Sequence, residues 1–235
     1  MKKLFLVSLM AFLTSVTMAQ DVELPEEGAY LESGNLLIEI TSSPFGRDDA
    51  YSSNALLNFG QFRARYALTE QLVPRLGLWF YVDDNQSGIS TPDVTETITE
   101  FMVAPGIEYH FINENGFTSY AAFDVLVSRR TMEMQATNDF DVAGVIDNVS
   151  PASWGENRAF DFDERGFFGI GAQIAAGADY HFSSRFYIGA EIGFYAMSGK
   201  SSDVEVDGAL YQQGISFFQA GVMTSNSFRI GFKLL

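Results

Sequence analysis

Two short segments carry the residues best suited to chemistry. Gly106-Ile107-Glu108-Tyr109-His110-Phe111 and Gly177-Ala178-Asp179-Tyr180-His181-Phe182 repeat one pattern, a carboxylate two residues before a histidine with a tyrosine between them. In an extended chain, residues two apart share a face. Each pair could therefore act as a carboxylate-oriented base or offer two ligands to a metal ion. His110 and His181 are the only histidines in the chain. We expect each to donate a hydrogen bond to a nearby carboxylate or to meet water at the rim of the fold. No metal site, cofactor or catalytic residue is expected.

Composition narrows the chemistry further. The 235 residues include no cysteine, which removes thiol nucleophiles, disulfides and cysteine-ligated metals. Fourteen Lys+Arg against 30 Asp+Glu give a formal charge of −16 and argue against nucleic-acid binding. With 14% aromatic residues and only 19% charged, the chain is not a disordered acidic polymer.

The elements that position these residues begin after residue 19. Met1–Ala19 has a basic start at Lys2 and Lys3, an apolar run Leu4–Leu13, and Thr17-Met18-Ala19 with small residues at −3 and −1. That is the pattern of a cleaved signal peptide. Removing it leaves 12 basic against 30 acidic residues, a formal charge of −18. Residues 20–33 read as an acidic periplasmic segment, and residues 34–235 as one β domain.

Within that domain the period is two. Phe168, Ile170, Ala172, Ile174, Ala176, Ala178, Tyr180 and Phe182 alternate with Gly169, Gly171, Gln173, Ala175, Gly177, Asp179 and His181. The same alternation marks strands at about 35–41, 61–68, 75–82, 101–111, 119–128, 186–196 and 227–234, a count of eight, with ten possible if a hairpin hides near Phe140–Val149 and Arg158–Asp163. Pro105 inside the fourth strand predicts a local bulge.

Connections alternate in length. Short ones fall at about Thr69–Pro74, Ile112–Gly116 and Ser183–Arg185, and long polar ones at 42–55, 83–97, 129–165 and 199–213. Short turns at one end and long loops at the other are the arrangement of outer-membrane β-barrels, periplasmic turns opposite extracellular loops. The second face of each strand is rich in Gly, Ala, Ser and Tyr with few charges, unlike a solvated face. Tyr66, Tyr109, Phe111, Tyr180 and Phe182 face outward at the short-turn end and predict an aromatic girdle.

On this patterning, and on the ending Ser227-Phe228-Arg229-Ile230-Gly231-Phe232-Lys233-Leu234-Leu235, the chain resembles the small eight-stranded outer-membrane barrels, the OmpA/OmpX-like and OmpW-like group. The resemblance covers about 34–235. It implies an all-β, antiparallel up-and-down barrel in the outer membrane, contact with lipid or lipopolysaccharide, and insertion by the barrel-assembly machinery. That family usually ends in an aromatic residue, whereas this chain ends in Leu235.

Inside an eight-stranded barrel the side chains fill the interior. The expected inward charges are Arg65, Glu108, Asp179 and Lys233 near the short-turn end. Glu39, Arg63, Asp124, Glu191 and Arg229 are expected at mid-height, beside Trp79. Mixed signs in each layer permit ion pairing and predict a closed lumen. The expected function is non-enzymatic, structural or through the acidic loops, with a protein partner for loop 129–165. A narrow channel for small solutes is the alternative. An outer-membrane enzyme is disfavoured because no long loop contains a histidine to serve as its base.

Overall fold

The computed structural model describes residues 31–43, 58–87, 94–136, 140–146, 160, 162–223 and 228–234. The segment read as a signal peptide, residues 20–30 and most of the loop expected at 42–55 lie outside them. Alternation of β-branched and aromatic side chains with small or polar ones drives strand formation nearly everywhere else. Twelve strands result: β1 (Leu36–Ser43), β2 (Asn58–Tyr66), β3 (Leu72–Ser87), β4 (Val94–Glu114), β5 (Phe117–Ala136), β6 (Phe140–Ala143), β7 (Phe167–His181), β8 (Phe186–Ser201), β9 (Val204–Val206), β10 (Ala209–Gln212), β11 (Ser216–Met223) and β12 (Phe228–Lys233).

Eight of them close a ring. Antiparallel pairing runs β1–β2–β3–β4–β5–β7–β8–β12 and returns from β12 to β1. These are the eight strands expected from the sequence, but the described residues hold twelve. β11 pairs the far half of β8, Gly193–Lys200, while β12 pairs its near half, Phe186–Ala190. The two therefore share one position in the ring.

Where the long loops are described, strands extend into them. β3 and β4 stay paired as far as Ser87↔Val94, so the connection expected at 83–97 shrinks to 88–93. β5 continues to Ala136, and β6 folds back on it. β9 and β10 form a hairpin within 199–213, and β9 pairs β6 across two different connections. Of the extra hairpin expected at Phe140–Val149 with Arg158–Asp163, β6 is present and pairs both β5 and β9, while residues 147–159 lie outside the described residues.

The short end holds tight turns. Asn115 and Gly116, at φ 52° and 79°, occupy the two left-handed positions of a two-residue hairpin whose twist suits its strands. Thr69 Oγ1 accepts from the N–H groups of Gln71 and Leu72, and Ser183 Oγ from those of Arg185 and Phe186. Pro74 belongs to β3 rather than to the turn. Pro105 makes no bulge. The β4–β5 register is the same on either side of it, Val103↔Val127 and Gly106↔Asp124, and shifts instead between His110 and Ile112. A proline only deletes one donor, which interrupts a ladder without adding a residue to it.

Burial divides the ring. Outward side chains are exposed and apolar on all eight ring strands, among them Ile40, Phe62, Leu78, Phe101, Phe123, Ile174, Ile192 and Ile230. The interior is filled in three tiers. Leu31, Leu37, Ala67, Val73 and Tyr187 pack at the short-turn end, where Asn113 exchanges hydrogen bonds with the backbone of Leu31. Charged side chains fill the middle. Ala104, Leu126 and Met197, then Ile98, Met132 and Ile146, and finally Met134, Val142, Val145, Phe160 and Val204 occupy the long-loop half. The expectation of a charged, glycine-rich interior is therefore corrected: apolar clusters fill much of the long-loop half, alongside the Glu100–Arg130 pair and buried Arg165.

Candidate functional site

The middle tier gathers four arginines and five carboxylates, with a contribution from each ring strand. β1 brings Glu39, β2 Arg63 and Arg65, β3 Arg75, β4 Glu108, β5 Asp124, β7 Asp179, β8 Glu191 and β12 Arg229. All are buried. Alternation alone puts them on the inward face, but closure of the ring makes them partners across it.

Each guanidinium spans several strands. Arg65 reaches Glu108 at 2.6 Å, Asp179 at 2.9 Å and Glu39 at 3.3 Å. Arg75 holds both oxygens of Asp124, at 2.6 and 2.5 Å, and also meets Glu191 at 2.7 Å and Glu108 at 3.0 Å. Arg63 pairs Glu39 at 3.0 Å and Glu191 at 3.2 Å. Arg229 pairs Asp179 at 2.5 Å and Glu191 at 3.4 Å, with Glu39 at 3.7 Å. The planar fork of arginine suits such multiple carboxylate contacts, where lysine would offer a point charge.

Two tyrosines act as pillars. Tyr120 donates to Glu191 at 2.7 Å and lies 5.3 Å below the Arg65 guanidinium carbon and 5.0 Å from that of Arg229. Tyr187 donates to Glu39 at 2.8 Å. Each ring crosses a glycine on the next strand. A Cβ at Gly177 would overlap the Tyr120 hydroxyl, and one at Gly231 would overlap the Tyr187 ring. Gly231→Ala is accordingly expected to displace Tyr187 and lower stability by about 1–3 kcal/mol. Urea unfolding of the refolded protein measures it, and an unchanged midpoint would mean that the ring does not lie over this glycine.

The histidines belong to the same repeat. The His110 ring packs against Tyr120, centroids 5.0 Å apart and tilted by 33°, and that of His181 against Tyr187 at 4.9 Å and 32°. Both are 2% exposed, so neither meets water at a rim. The Nε2–H of His110 donates to Glu108 at 2.9 Å, the hydrogen bond expected from the spacing. Among the described residues, no three His, Cys, Asp or Glu side chains group as metal ligands would.

Eight of the nine expected inward charges meet in this cluster. Lys233 does not. It is half-buried at the short-turn end, where its Nζ donates to Asn35 Oδ1 at 3.2 Å. Trp79 is half-buried above the cluster, stacked on Tyr81 at 6.1 Å. The five girdle residues Tyr66, Tyr109, Phe111, Tyr180 and Phe182 are all exposed. Arg75 and Tyr120 were missed as network members. Their signal was present, since Arg75 lies two residues from inward Gly77, and Tyr120 four residues before Asp124 on an alternating strand.

Such an arrangement cross-braces a ring. No protein-family model matches the chain, and no curated protein sequence matches it.

Proposed function

We propose that the chain is an exported outer-membrane β-barrel protein with a closed, side-chain-filled lumen, acting without catalysis through its ordered long-loop end. One observation carries this reading: polarity is inverted, with apolar side chains outside on every ring strand and ion pairs inside. In water so large an exposed apolar surface would aggregate. In hydrocarbon it is the stable face, and the pairing of the last ring strand with the first leaves no free edge between β1 and β12 where lipid could not satisfy it.

The tyrosines and phenylalanines at the short-turn end suit one membrane interface. The long-loop end carries β6, β9 and β10 folded over a small apolar core, a surface preformed for contact with a partner. The channel reading has one feature in its favour, the apolar upper interior, but Met102, Leu126, Met197 and Phe217 pack within it. Liposomes containing the protein are expected not to swell.

The deciding experiment is fractionation with heat-modifiability. The unheated protein is expected in the membrane fraction and to migrate differently from the boiled protein in detergent gels. Recovery from a soluble fraction with identical migration would sink the proposal. In the same cells, a cysteine placed by Ser202→Cys is expected to label from outside and one placed by Ser184→Cys is not.

A further inference from the structure

We propose that the outward row Phe101–Arg129–Phe168–Lys200, at the long-loop edge of the apolar band, docks the phosphate of an anionic lipid in the outer leaflet. This rests on the membrane-barrel reading above. The four residues lie in direct register on four consecutive ring strands, Phe101↔Arg129, Arg129↔Phe168 and Phe168↔Lys200. Strands stand about 4.8 Å apart, so the two cations flank Phe168 at roughly 10 Å, within reach of one phosphate.

Their height is set by sequence. Outward residues of β5 run Phe123, Val125, Val127 and then Arg129, Thr131 and Glu133, so the switch from apolar to polar falls at Arg129. On β8 they run Ile192, Phe194, Ala196, Ser198 and then Lys200. Phosphates of a bilayer lie at that boundary.

Their rarity matters in a chain with a formal charge of −16. Arg63, Arg65, Arg75 and Arg229 are committed inside, Arg130 to Glu100, and Arg165 to the carbonyl oxygens of Ser202 and Gln213. Arg185 and Lys233 lie at the opposite end. Among the described residues, Arg129 and Lys200 are therefore the outward cations of the long-loop end.

A groove of about 270 Å³ opens between them, lined also by Ser201, Ser202 and Asp203. Lys200 has an exposed partner in Asp203 at 3.4 Å, a weak contact. The Asp203 carboxylate is already engaged. It accepts the Gly214 N–H at 2.7 Å, and that hydrogen bond holds its carboxyl below the usual range. The ion pairs at this level include none on Arg129 among the described residues. Beyond the row, Glu133, Asp141 and Glu205 would repel an anion and confine it to the band edge.

Native mass spectrometry of the detergent-extracted full chain tests this with diphosphoryl lipid A as probe. Arg129→Gln with Lys200→Gln is expected to weaken lipid retention roughly tenfold or more, the scale of losing two charge-assisted contacts. Arg185→Gln, at the other end, is expected to leave retention unchanged. Fully dephosphorylated lipid A is expected to bind wild type no better than the double variant, and inorganic phosphate not at all. Equal retention by the double variant, loss in Arg185→Gln, or retention of the dephosphorylated lipid would each overturn the proposal. Binding of inorganic phosphate that needs Arg129 and Lys200 would overturn its lipid source. If wild type fails to enter even phosphatidylcholine vesicles, it is the barrel reading that falls.

Discussion

Glu39→Ala is expected to lower stability by about 3–5 kcal/mol, the scale of removing one member of a buried, hydrogen-bonded ion network. Glu39 sits on β1 directly opposite Arg63 of β2 and Gly231 of β12. Its oxygens receive Arg63 at 3.0 Å, Arg65 at 3.3 Å and the Tyr187 hydroxyl at 2.8 Å, with Arg229 at 3.7 Å. Truncation would leave three guanidinium groups facing one another with one carboxylate fewer. Glu39→Gln keeps an acceptor and the side-chain shape, so it is expected to cost less. Arg63→Ala should also destabilise, yet the double change should cost less than the sum because the two share a contact. Urea titration of the refolded protein in vesicles, wild type against the four variants, reads all of this. Silent and additive single changes would mean that these side chains are bathed in water, and the closed lumen would give way to the channel.

The second large effect lies on the opposite face. Ile192 is 62% exposed on β8, midway along its outward row between Phe186 and Ser198. In water, replacing so exposed a side chain changes stability by no more than about 0.5 kcal/mol. At the middle of a bilayer, an arginine on the lipid face of a barrel costs about 2–4 kcal/mol, falling to about 0–1 near the interface. Ile192→Arg is therefore expected to destabilise the vesicle-embedded protein strongly, and Ser198→Arg only slightly. Folding titrations of both variants in vesicles decide it. Equal, negligible effects would place the apolar band outside hydrocarbon.

The inward and outward faces were legible in the sequence because alternation is a local property. A side chain's face depends on strand parity alone, so Glu39, Asp179, Glu191 and Arg229 could be placed inside, and Tyr66 and Phe182 outside, before any fold was known. The echo of Glu108–His110 in Asp179–His181 likewise marked a repeated hairpin. In it, each histidine ring packs against the tyrosine of the following strand. The upper strands were illegible for the same reason. Thr95, Thr97, Thr131 and Glu133 put nothing apolar on the outward face, so only the cross-strand ladder, with Glu100 paired to Arg130 at 2.8 Å, makes them strands.

Sequence by itself thus determined the strand class, the eight ring positions, the polarity of each face and most of the inward charges. Ring closure decided who meets whom. Arg75 stands near the start of β3, and nothing within its own strand says that its guanidinium will bridge Asp124, Glu108 and Glu191 on three other strands. Lys233 has the correct parity and lies opposite Leu37, as Arg65 does, but its Nζ meets Asn35 instead of the cluster. β6 and β9 pair although 60 or more residues of chain lie between them. Parity is inherited from the neighbouring residue, whereas a partner across the ring depends on the stagger of every strand between, which exists only once the last strand has closed on the first.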